Sequence, residues 1–458
     1  MKKFLALAMS LVMLLGILSA CGTPNANGTT ASPSAIDTPS ASNASENDTT
    51  LEPASLRMWT FLDLTSANGR AVVLGKLIEQ FEAANPGVTV TVETQDWTQL
   101  ASKTWAAHAA GNAPDILMVN SENLGATISA GCLEPLENLF ASTWSDKDYA
   151  DVESAMWNAG YDGTYHYQVP FFTGVFGIYY RTDVFEDFGI KAADIKSWDD
   201  LAKAAQTMTY IDDNGNQVYG LGIGYSTEVV DPHGRLPSAL FSQNGGMFTS
   251  EGRPNNWVGQ AGKEALKWQI DLIDKYACTP SSCVALTSEE IYNAFEAGQY
   301  AMIFGGSVRM PTVRGLTAFD PNYVQFMPFP GASISNAAGW HAGVWSGSEN
   351  KNAAAAFVEH LMSPEADAMW VTEAAQLPLR KSTLETYADI FAKTENAWLV
   401  VAAEVVSGSA TVAPTDFTVS KYSMDLQTAM NRAYVDGITL EDALTEAEAS
   451  FIARNVDR

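Results

Sequence analysis

Hydrophobic residues recur with two different periods along the chain after residue 51. At residues 88–92 every second side chain is apolar, which predicts a strand, whereas at 73–81 apolar side chains recur at steps of three and four, as on one face of a helix. Apolar runs at 56–61 and 114–119 predict two more strands, and 99–110 has the pattern of a second helix. This order is typical of βαβ units, so the pattern predicts an α/β fold with a parallel sheet.

The remaining chain begins with a further strand and then becomes mostly helical. Residues 175–180 are strand-like, Ser197 opens a helix with Asp200 three positions later, and the polar residues 212–216 predict a turn. We predict further helices at 262–276, 288–297, 352–362, 364–375, 398–406, 423–435 and 439–453. No fixed period repeats along the chain, so a repeat architecture is not expected.

The first 50 residues do not have the pattern of a folded domain. Two lysines precede a run of about 14 mostly apolar residues, which is typical of a secretory signal and short for a membrane-spanning helix. The Leu-Ser-Ala-Cys sequence that ends at Cys21 resembles the lipobox of bacterial lipoproteins, in which that cysteine is acylated; an ordinary signal with a chance cysteine is the alternative. We expect a signal peptide over 1–20, lipidation at Cys21 and a flexible tether, rich in Ser, Thr, Asn and Pro, within 21–51.

The charge balance excludes several classes of partner. The 458 residues include 26 Lys and Arg against 53 Asp and Glu, a formal net charge of −27. Nucleic-acid binding and docking on an anionic bilayer both need a basic face, and the chain has no such stretch. Residues 1–20 hold two lysines and no acid, so the exported chain would be more acidic still, which favours a neutral ligand. The length fits two or three domains, or one large two-lobed body.

Cysteine and histidine spacing gives little sign of metal or redox chemistry. Beyond residue 21 the cysteines are Cys132, Cys278 and Cys283. An exported compartment permits disulfides, and the Pro/Ser turn between Cys278 and Cys283 slightly favours one there, with Cys132 as a buried small residue. The histidines are scattered, no zinc-type cysteine spacing or P-loop occurs, and the glycines near 222 have the wrong spacing for a dinucleotide site. We expect no metal, no cofactor and no catalytic residue.

Aromatic residues stand where strands end and loops begin. They are Trp59, Trp97, Phe171, Phe172, Trp340 and Tyr422. Flat aromatic faces suit the C–H faces of sugar rings, and the acids and amides near the same strand ends can pair hydroxyls. In open α/β sheets ligands bind beyond the carboxyl ends of the strands, so the pattern indicates a saccharide site there; each aromatic taken alone could equally be core.

A family resemblance rests on a series of short segments in a specific order. They are FEAANPGVTV at 81–90, GNAPDI at 111–116, GYDG at 160–163 before VPF at 169–171, IYYRTDVF at 178–185, SWDDL at 197–201, AFEAGQYAM at 294–302 and LPLRKS at 377–382. Over about residues 52–455 the chain resembles bacterial extracellular solute-binding proteins of the sugar-binding type, which include maltose-binding protein. The resemblance implies a two-lobed periplasmic-binding-protein-like fold with a hinge, an interlobe ligand cleft and delivery of sugar to an ABC importer.

The resemblance also implies domain boundaries and site residues. Hinge crossings are expected near 172–174, 325–328 and 375–378. Lobe one would comprise 52–173 with 327–376, and lobe two 174–326 with 377–458. The implied ligand contacts are Trp59, Asp63, Asp96, Trp97, Asn120, Glu122, Phe172, Arg309, Trp340, His341 and Tyr422. Maltose-binding protein has a stacking tryptophan near the position of Arg309, so the sequence does not support maltodextrin as the ligand.

These observations together predict a monomeric binding lipoprotein that is anchored to the membrane and is not an enzyme. It is expected to capture a mono- or oligosaccharide and to deliver it to the membrane subunits of an ABC importer. A binder of another solute, such as a peptide, polyamine or metal chelate, remains open. An exported carbohydrate-active hydrolase is a further alternative, which would need facing carboxylates such as Asp63 and Glu122. The tether is also compatible with a surface adhesin or sensor.

Overall fold

The computed structural model describes residues 51–226, 236–249, 253–331, 333, 335–408, 410–411 and 419–454. The expected signal peptide, Cys21 and nearly all of the tether lie outside the described residues. No helix among the described residues is long and apolar enough to cross a membrane.

Ten strands form within the described residues. They are β1 Ala54–Thr60, β2 Val88–Thr94, β3 Ile116–Asn120, β4 Val169–Arg181, β5 Tyr210–Ile211, β6 Gln217–Gly222, β7 Tyr300–Gly306, β8 Val324–Met327, β9 Ser335–Val344 and β10 Ala410–Thr411. The first three confirm the strands predicted from the apolar pattern, and β1 pairs in parallel with both β2 and β3. The mixed α/β architecture confirms the predicted fold class.

Helices connect these strands and cover the sheet. They are α1 Gly69–Ala84, α2 Leu100–Ala109, α3 Ser121–Ser129, α4 Asp146–Asp151, α5 Ser154–Trp157, α6 Thr182–Asp187, α7 Trp198–Thr207, α8 Leu236–Ser242, α9 Gln260–Asp274, α10 Ser288–Glu296, α11 Met310–Leu316, α12 Lys351–His360, α13 Pro364–Ala374, α14 Lys381–Thr386, α15 Ala388–Phe391, α16 Ala397–Gly408, α17 Val419–Val435 and α18 Leu440–Arg454. As predicted, Ser197 caps α7: its side chain accepts a hydrogen bond from the backbone N–H of Asp200.

The sheet is mixed, which corrects the expectation of a purely parallel one. Its strand order is β2-β1-β3-β9-β4-β7-β6-β5, with β8 also paired to β4 and β10 to β9. Strand β9 is antiparallel to both β3 and β4. The sequence analysis missed β9 because its residues, SNAAGWHAGV, are small and do not alternate between apolar and polar.

Strand β4 connects two parts of the molecule. Its first half, from Val169 to Val175, pairs with β9, and its second half, from Phe176 onward, pairs with β7 and β8. The crossing predicted at 172–174 therefore lies just before the point where β4 changes partner. Two glycines allow β4 and its neighbours to pack closely there, since a Cβ at Gly339 would lie 2.2 Å from the carbonyl oxygen of Phe172 and one at Gly174 would lie 2.6 Å from Val308.

Separate groups of buried residues lie on the two sides of this crossing. One contains the inward faces of β1, α1 and β2 together with α12 and α13. On the other side, one group joins α7, α9, α17 and α18. A further group joins α10, β7, β8 and α16, and it reaches across to Val371 of α13. The chain therefore leaves the first core at β4 and returns to it through β9, α12 and α13.

A left-handed residue lies at the start of 375–378, where the sequence predicts a hinge crossing. Helix α13 ends at Ala375, whose φ is +50°, an unusual conformation for a residue with a Cβ. Buried Asp367 of α13 accepts hydrogen bonds from groups that follow Ala375 in the chain. They are the backbone N–H groups of Leu379 and Arg380 and the Thr383 hydroxyl. These bonds hold the residues that follow 375–378 against α13.

Candidate functional site

Three aromatic rings meet at the level where β1 and β3 end, beside the point where β4 changes partner. Phe61 directly follows β1, Phe172 lies on β4, and Trp340 lies on β9 directly between Asn120 of β3 and Phe172 of β4. The ring centroids of Phe61 and Trp340 are 4.5 Å apart, and those of Phe61 and Phe172 are 6.1 Å apart. Phe172 is fully buried, which corrects its assignment as a ligand contact, whereas Phe61 and Trp340 are half-buried, so apolar ring surface remains accessible here.

An arginine lies against this aromatic cluster. Arg70, in the first turn of α1, places its guanidinium carbon 5.5 Å from the ring centre of Phe61 and 5.2 Å from that of Phe172. The backbone N–H of Arg70 donates to the side chain of Asn68, which caps α1 and fixes where the helix begins. The two cation–π contacts therefore connect the start of α1 to Phe61, which follows β1, and to Phe172 of β4.

Arg309 approaches the same region from the other side of the crossing. It ends the short 3₁₀ turn Ser307–Arg309 after β7, and the Ser307 hydroxyl accepts a hydrogen bond from the backbone N–H of Val175 in β4. The Arg309 guanidinium binds both carboxylate oxygens of Glu289, at 2.5 and 2.6 Å, and lies 4.4 Å from the ring centre of Tyr292. This bidentate contact to Arg309 lowers the pKa of Glu289.

Of the residues predicted near the ends of β1 and β2, Asp63, Asp96 and Trp97 follow these strands and are exposed, whereas Trp59 lies within β1. The indole Nε1 of Trp59 donates to Glu93 at 2.7 Å, whereas Trp97 is 57% exposed. Asp63 and Asp96 are exposed, and each carboxylate accepts hydrogen bonds from the threonine two positions later, which lowers its pKa. Both acids thus shape local turns with one oxygen and leave the rest of the carboxylate exposed.

Asn120 and Glu122 lie where β3 leads into α3. The Asn120 side-chain oxygen accepts a hydrogen bond from Asn123 at 2.7 Å, and Asn120 is paired in the sheet with Trp340. Glu122 lies half-buried in the first turn of α3, where the positive end of the helix dipole favours a negative charge. The structure thus brings Asn120 to the aromatic cluster and places Glu122 beside it along the chain.

A match to a known sequence family identifies the architecture. Residues 76–397 match the family described as bacterial extracellular solute-binding protein. This span is more than half of the chain. The chain belongs to the bacterial extracellular solute-binding protein family.

The name of a curated relative is consistent with this family. A protein of Brucella abortus (strain 2308) named as a binding protein is 25% identical over 223 residues, which are 49% of this chain and 51% of that protein. The chain thus spans about half the length of the curated relatives it matches first.

Solved structures of solute-binding proteins superpose on the chain, and they have the two-lobed fold of this family. An ABC transporter solute-binding protein from Thermotoga lettingae, bound with α-D-tagatose, superposes with a TM-score of 0.70 at 22% identity, covering 87% of this chain and 98% of that one. The sugar-binding protein MalE from Xanthomonas citri superposes with a TM-score of 0.73 at 18% identity, covering 88% and 98%. The two-lobed fold class predicted from the sequence is therefore confirmed.

His341 is buried in this solute-binding fold rather than facing the cleft, which corrects its assignment as a ligand contact. Its side chain is fully buried, with Nδ1 2.7 Å from the Gln168 side-chain oxygen and Nε2 2.9 Å from the Ser121 hydroxyl. The Gln168 oxygen is an acceptor, so Nδ1 carries the proton and Nε2 accepts from Ser121. Burial lowers the pKa of His341 to about 3, and the neutral ring joins β9 to β4 and α3.

Tyr422 is likewise a core residue, which corrects the second assignment. It is 1% exposed on α17 and packs with its ring 5.1 Å from that of Phe248, in the buried group that contains α9 and α18. The sequence analysis placed it in a loop because the helix was predicted to begin at 423, whereas α17 begins at Val419.

The cysteines are free in this structure. Cys132, Cys278 and Cys283 are all buried thiols, so the disulfide that the spacing slightly favoured is not formed. The Cys278 thiol donates to the carbonyl oxygen of Leu272, and residues 281–285 form a 3₁₀ turn instead of a cross-linked loop. Burial raises the pKa of both Cys278 and Cys283 to about 12. Among the described residues, no group of three or more His, Cys, Asp or Glu is placed to hold a metal ion.

The sequence analysis missed Phe61 and Arg70. Phe61 was assigned to the first strand, but β1 ends at Thr60, so its ring lies at the strand end. Arg70 gives a weak signal in sequence, as a cation in a first helical turn that contains no acid. Its contact with Phe172 depends on pairing between distant strands, which local patterns do not reveal.

Proposed function

We propose that this chain is an exported binding lipoprotein that captures a mono- or oligosaccharide between its two lobes and delivers it to the membrane subunits of an ABC importer. The observation that carries the proposal is the half-buried pair formed by Phe61 and Trp340. These rings lie 4.5 Å apart where β1 and β3 end, beside the point where β4 changes partner. Such a surface suits the apolar faces of a sugar ring.

Polar groups around these rings would supply the hydroxyl contacts. Asn120 is the sheet neighbour of Trp340, Glu122 lies two residues further along the chain, and Asp63 follows Phe61 by two positions. Carboxylate and amide oxygens accept hydrogen bonds from hydroxyls, and Arg309 from the other lobe can donate them. A ligand held by groups from both lobes would favour the closed arrangement, which is the state an importer can recognise.

We propose binding without catalysis. The family consists of solute-binding proteins, and solved relatives named for tagatose and for sugar binding support a saccharide as the ligand. Of the pair Asp63 and Glu122 that a hydrolase would use, Asp63 is an exposed carboxylate whose pKa is lowered by the Thr65 hydroxyl and backbone N–H, so it does not resemble the protonated acid that glycoside hydrolysis requires.

We further propose that Cys21 carries the lipid anchor and that the globular body is held at the outer face of the cell membrane. The Leu-Ser-Ala-Cys sequence and the polar stretch that follows support this arrangement. Two or more acyl chains anchor a protein stably where one does not. Labelling cells with a radioactive fatty acid should mark the wild-type protein and leave Cys21→Ala unmarked.

A thermal-shift screen tests the ligand class. The purified protein would be melted with a panel of neutral and acidic saccharides, and in parallel with peptides and polyamines. A saccharide at ~100 times its Kd should stabilise the protein by roughly 2.7 kcal/mol. Stabilisation by peptides or polyamines alone would contradict the saccharide proposal, and conversion of a saccharide to smaller products would show that the protein is a hydrolase.

A further inference from the structure

Arg70 has no carboxylate partner among the described residues, unlike several other arginines of the chain. Arg57 binds Glu93, Arg181 binds Asp183, and Arg309 binds Glu289. The guanidinium of Arg70 instead contacts the rings of Phe61 and Phe172. Arg314 also lacks a carboxylate, but its guanidinium donates to two carbonyl oxygens and to Asn322, whereas the guanidinium of Arg70 lies against two aromatic rings.

The charges that act on Arg70 are positive ones. Burial lowers the pKa of Arg70, and the positive charge of Arg309 lowers it further. The first turn of α1 holds no acidic residue, so the positive end of this helix dipole adds to the same potential. Two arginines from opposite lobes thus approach each other, and only Arg309 has a neutralising carboxylate, Glu289.

A half-buried cation without a counter-ion is unfavourable because it has lost part of its hydration. Cation–π contacts with Phe61 and Phe172 recover part of this loss, and they also hold the guanidinium in one orientation. A planar guanidinium held in this way is suited to bind a carboxylate or a phosphate through two parallel hydrogen bonds. An anionic group on the ligand would supply the missing counter-ion.

We propose that the saccharide bound by this protein is acidic, and that its anionic oxygen group, a carboxylate or a phosphate, binds Arg70. This inference rests on the proposed saccharide-binding function and specifies the chemical class of its ligand. It replaces the neutral sugar favoured by the net charge of −27. Net charge acts through solvent and is screened within about 10 Å, whereas Arg70 and Arg309 act at contact distance.

The test compares matched ligands and matched variants by calorimetric titration of the purified protein. The ligands are galactose against galacturonate, glucose against glucuronate, and glucose 6-phosphate, each also as a short oligomer where one exists. The variants are Arg70→Gln, which removes the charge, and Arg70→Lys, which keeps the charge without the planar fork. Arg432→Gln removes one exposed positive charge from the opposite end of the chain, on α17, and serves as the control.

We expect at least one acidic ligand to bind the wild type about 10-fold or more tightly than its neutral counterpart, which corresponds to about 1.4 kcal/mol. Arg70→Gln should abolish this preference, Arg70→Lys should keep part of it, and Arg432→Gln should leave it unchanged. Tighter binding of the uronates would identify a carboxylate as the anionic group. Tighter binding of glucose 6-phosphate would identify a phosphate.

The failures of the two proposals are distinguishable. If neutral sugars bind as tightly as acidic ones, or if Arg70→Gln weakens both equally, Arg70 is a donor to hydroxyls and the acidic-ligand inference is wrong while saccharide binding stands. If no saccharide binds but succinate or an acidic peptide binds in an Arg70-dependent way, the saccharide proposal is wrong. If Arg70→Gln alters only the melting temperature, the arginine is structural and the inference is overturned.

Discussion

The indole of Trp340 packs 4.5 Å from the ring of Phe61, with the two planes inclined by 44°. The two residues are far apart in sequence, and the pairing of β9 with β3 brings them together. Neither ring is completely buried, because both lie at the edge of the core formed by β1, α1 and α13. This contact is the aromatic surface on which the proposed saccharide site depends.

Replacing Trp340 should therefore separate binding from folding. Trp340→Ala should weaken saccharide binding by about 10- to 100-fold, because an aromatic anchor of a binding site typically contributes 2 kcal/mol or more. The free protein should lose only about 1–2 kcal/mol of stability, because the ring is half-buried. Titration calorimetry measures the first effect and denaturant unfolding the second.

Trp268 provides the matched control. It is a partly buried tryptophan in the other lobe, where its ring lies 5.0 Å from that of Trp198 and its Nε1 donates to the carbonyl oxygen of Trp198. Trp268→Ala should cost similar stability and leave saccharide affinity unchanged. Equal losses of affinity in both variants would mean that Trp340 acts through stability alone.

Tyr422 should behave as a core residue. Tyr422→Ala removes a fully buried ring that packs against Phe248, so unfolding free energy should fall by about 3 kcal/mol. The fraction that remains folded should bind saccharide with the affinity of the wild type. Loss of binding with an unchanged melting temperature would show that Tyr422 contacts the ligand and is not a core residue.

His341 should make stability depend on pH. Its folded pKa of about 3 lies below the ordinary value of 6.5, so the unfolded chain binds an extra proton between these values and stability falls as the pH drops below 6.5. By pH 4 this effect amounts to about 3 kcal/mol. The raised pKa of buried Asp367, about 6, acts in the opposite direction, since it favours the folded state as the pH falls toward 4.

The two effects can be separated by variants. His341→Gln should lower stability at pH 7, because it disrupts the bonds to Gln168 and Ser121, and should flatten the acid limb of the stability curve below pH 6.5. Asp367→Asn should remove the opposing contribution and steepen that limb. Denaturant unfolding measured from pH 4 to pH 7.5 compares the slopes, and an unchanged slope in His341→Gln would show that this ring is not buried as a neutral group.

The buried cysteines should be chemically inert in the folded protein. Cys278 and Cys283 have a raised pKa of about 12, so little thiolate is present at neutral pH, and both are shielded from solvent. Iodoacetamide should modify them only after unfolding. A mass increase on reduction of the native protein would instead reveal a disulfide between them.

Local patterns were sufficient for most helices and for the early strands. The steps of three and four in α1 and the alternation in β2 reflect one buried face each, and Ser197 and Asp200 mark the start of α7 because capping is a local interaction. These features depend on residues within one element, so the sequence alone identifies them.

Features that depend on distant strands were not predictable in this way. The glycine- and alanine-rich β9 becomes a strand because β3 and β4 pair with it on both sides. The same pairing buries His341 while leaving its neighbour Trp340 half-exposed, since successive side chains of a strand point to opposite faces. Arg70 can be recognised as a site residue only from the structure, in which β4 brings Phe172 beside α1.

The most direct test of the account is small-angle X-ray scattering of the purified protein, with and without the saccharide that raises its melting temperature most. A ligand that is held by groups from both lobes should favour the closed state. The radius of gyration should therefore decrease as the saccharide saturates the protein, and Trp340→Ala should need a higher concentration for the same decrease. A saccharide that binds and raises the melting temperature without changing the radius of gyration would contradict capture between the lobes.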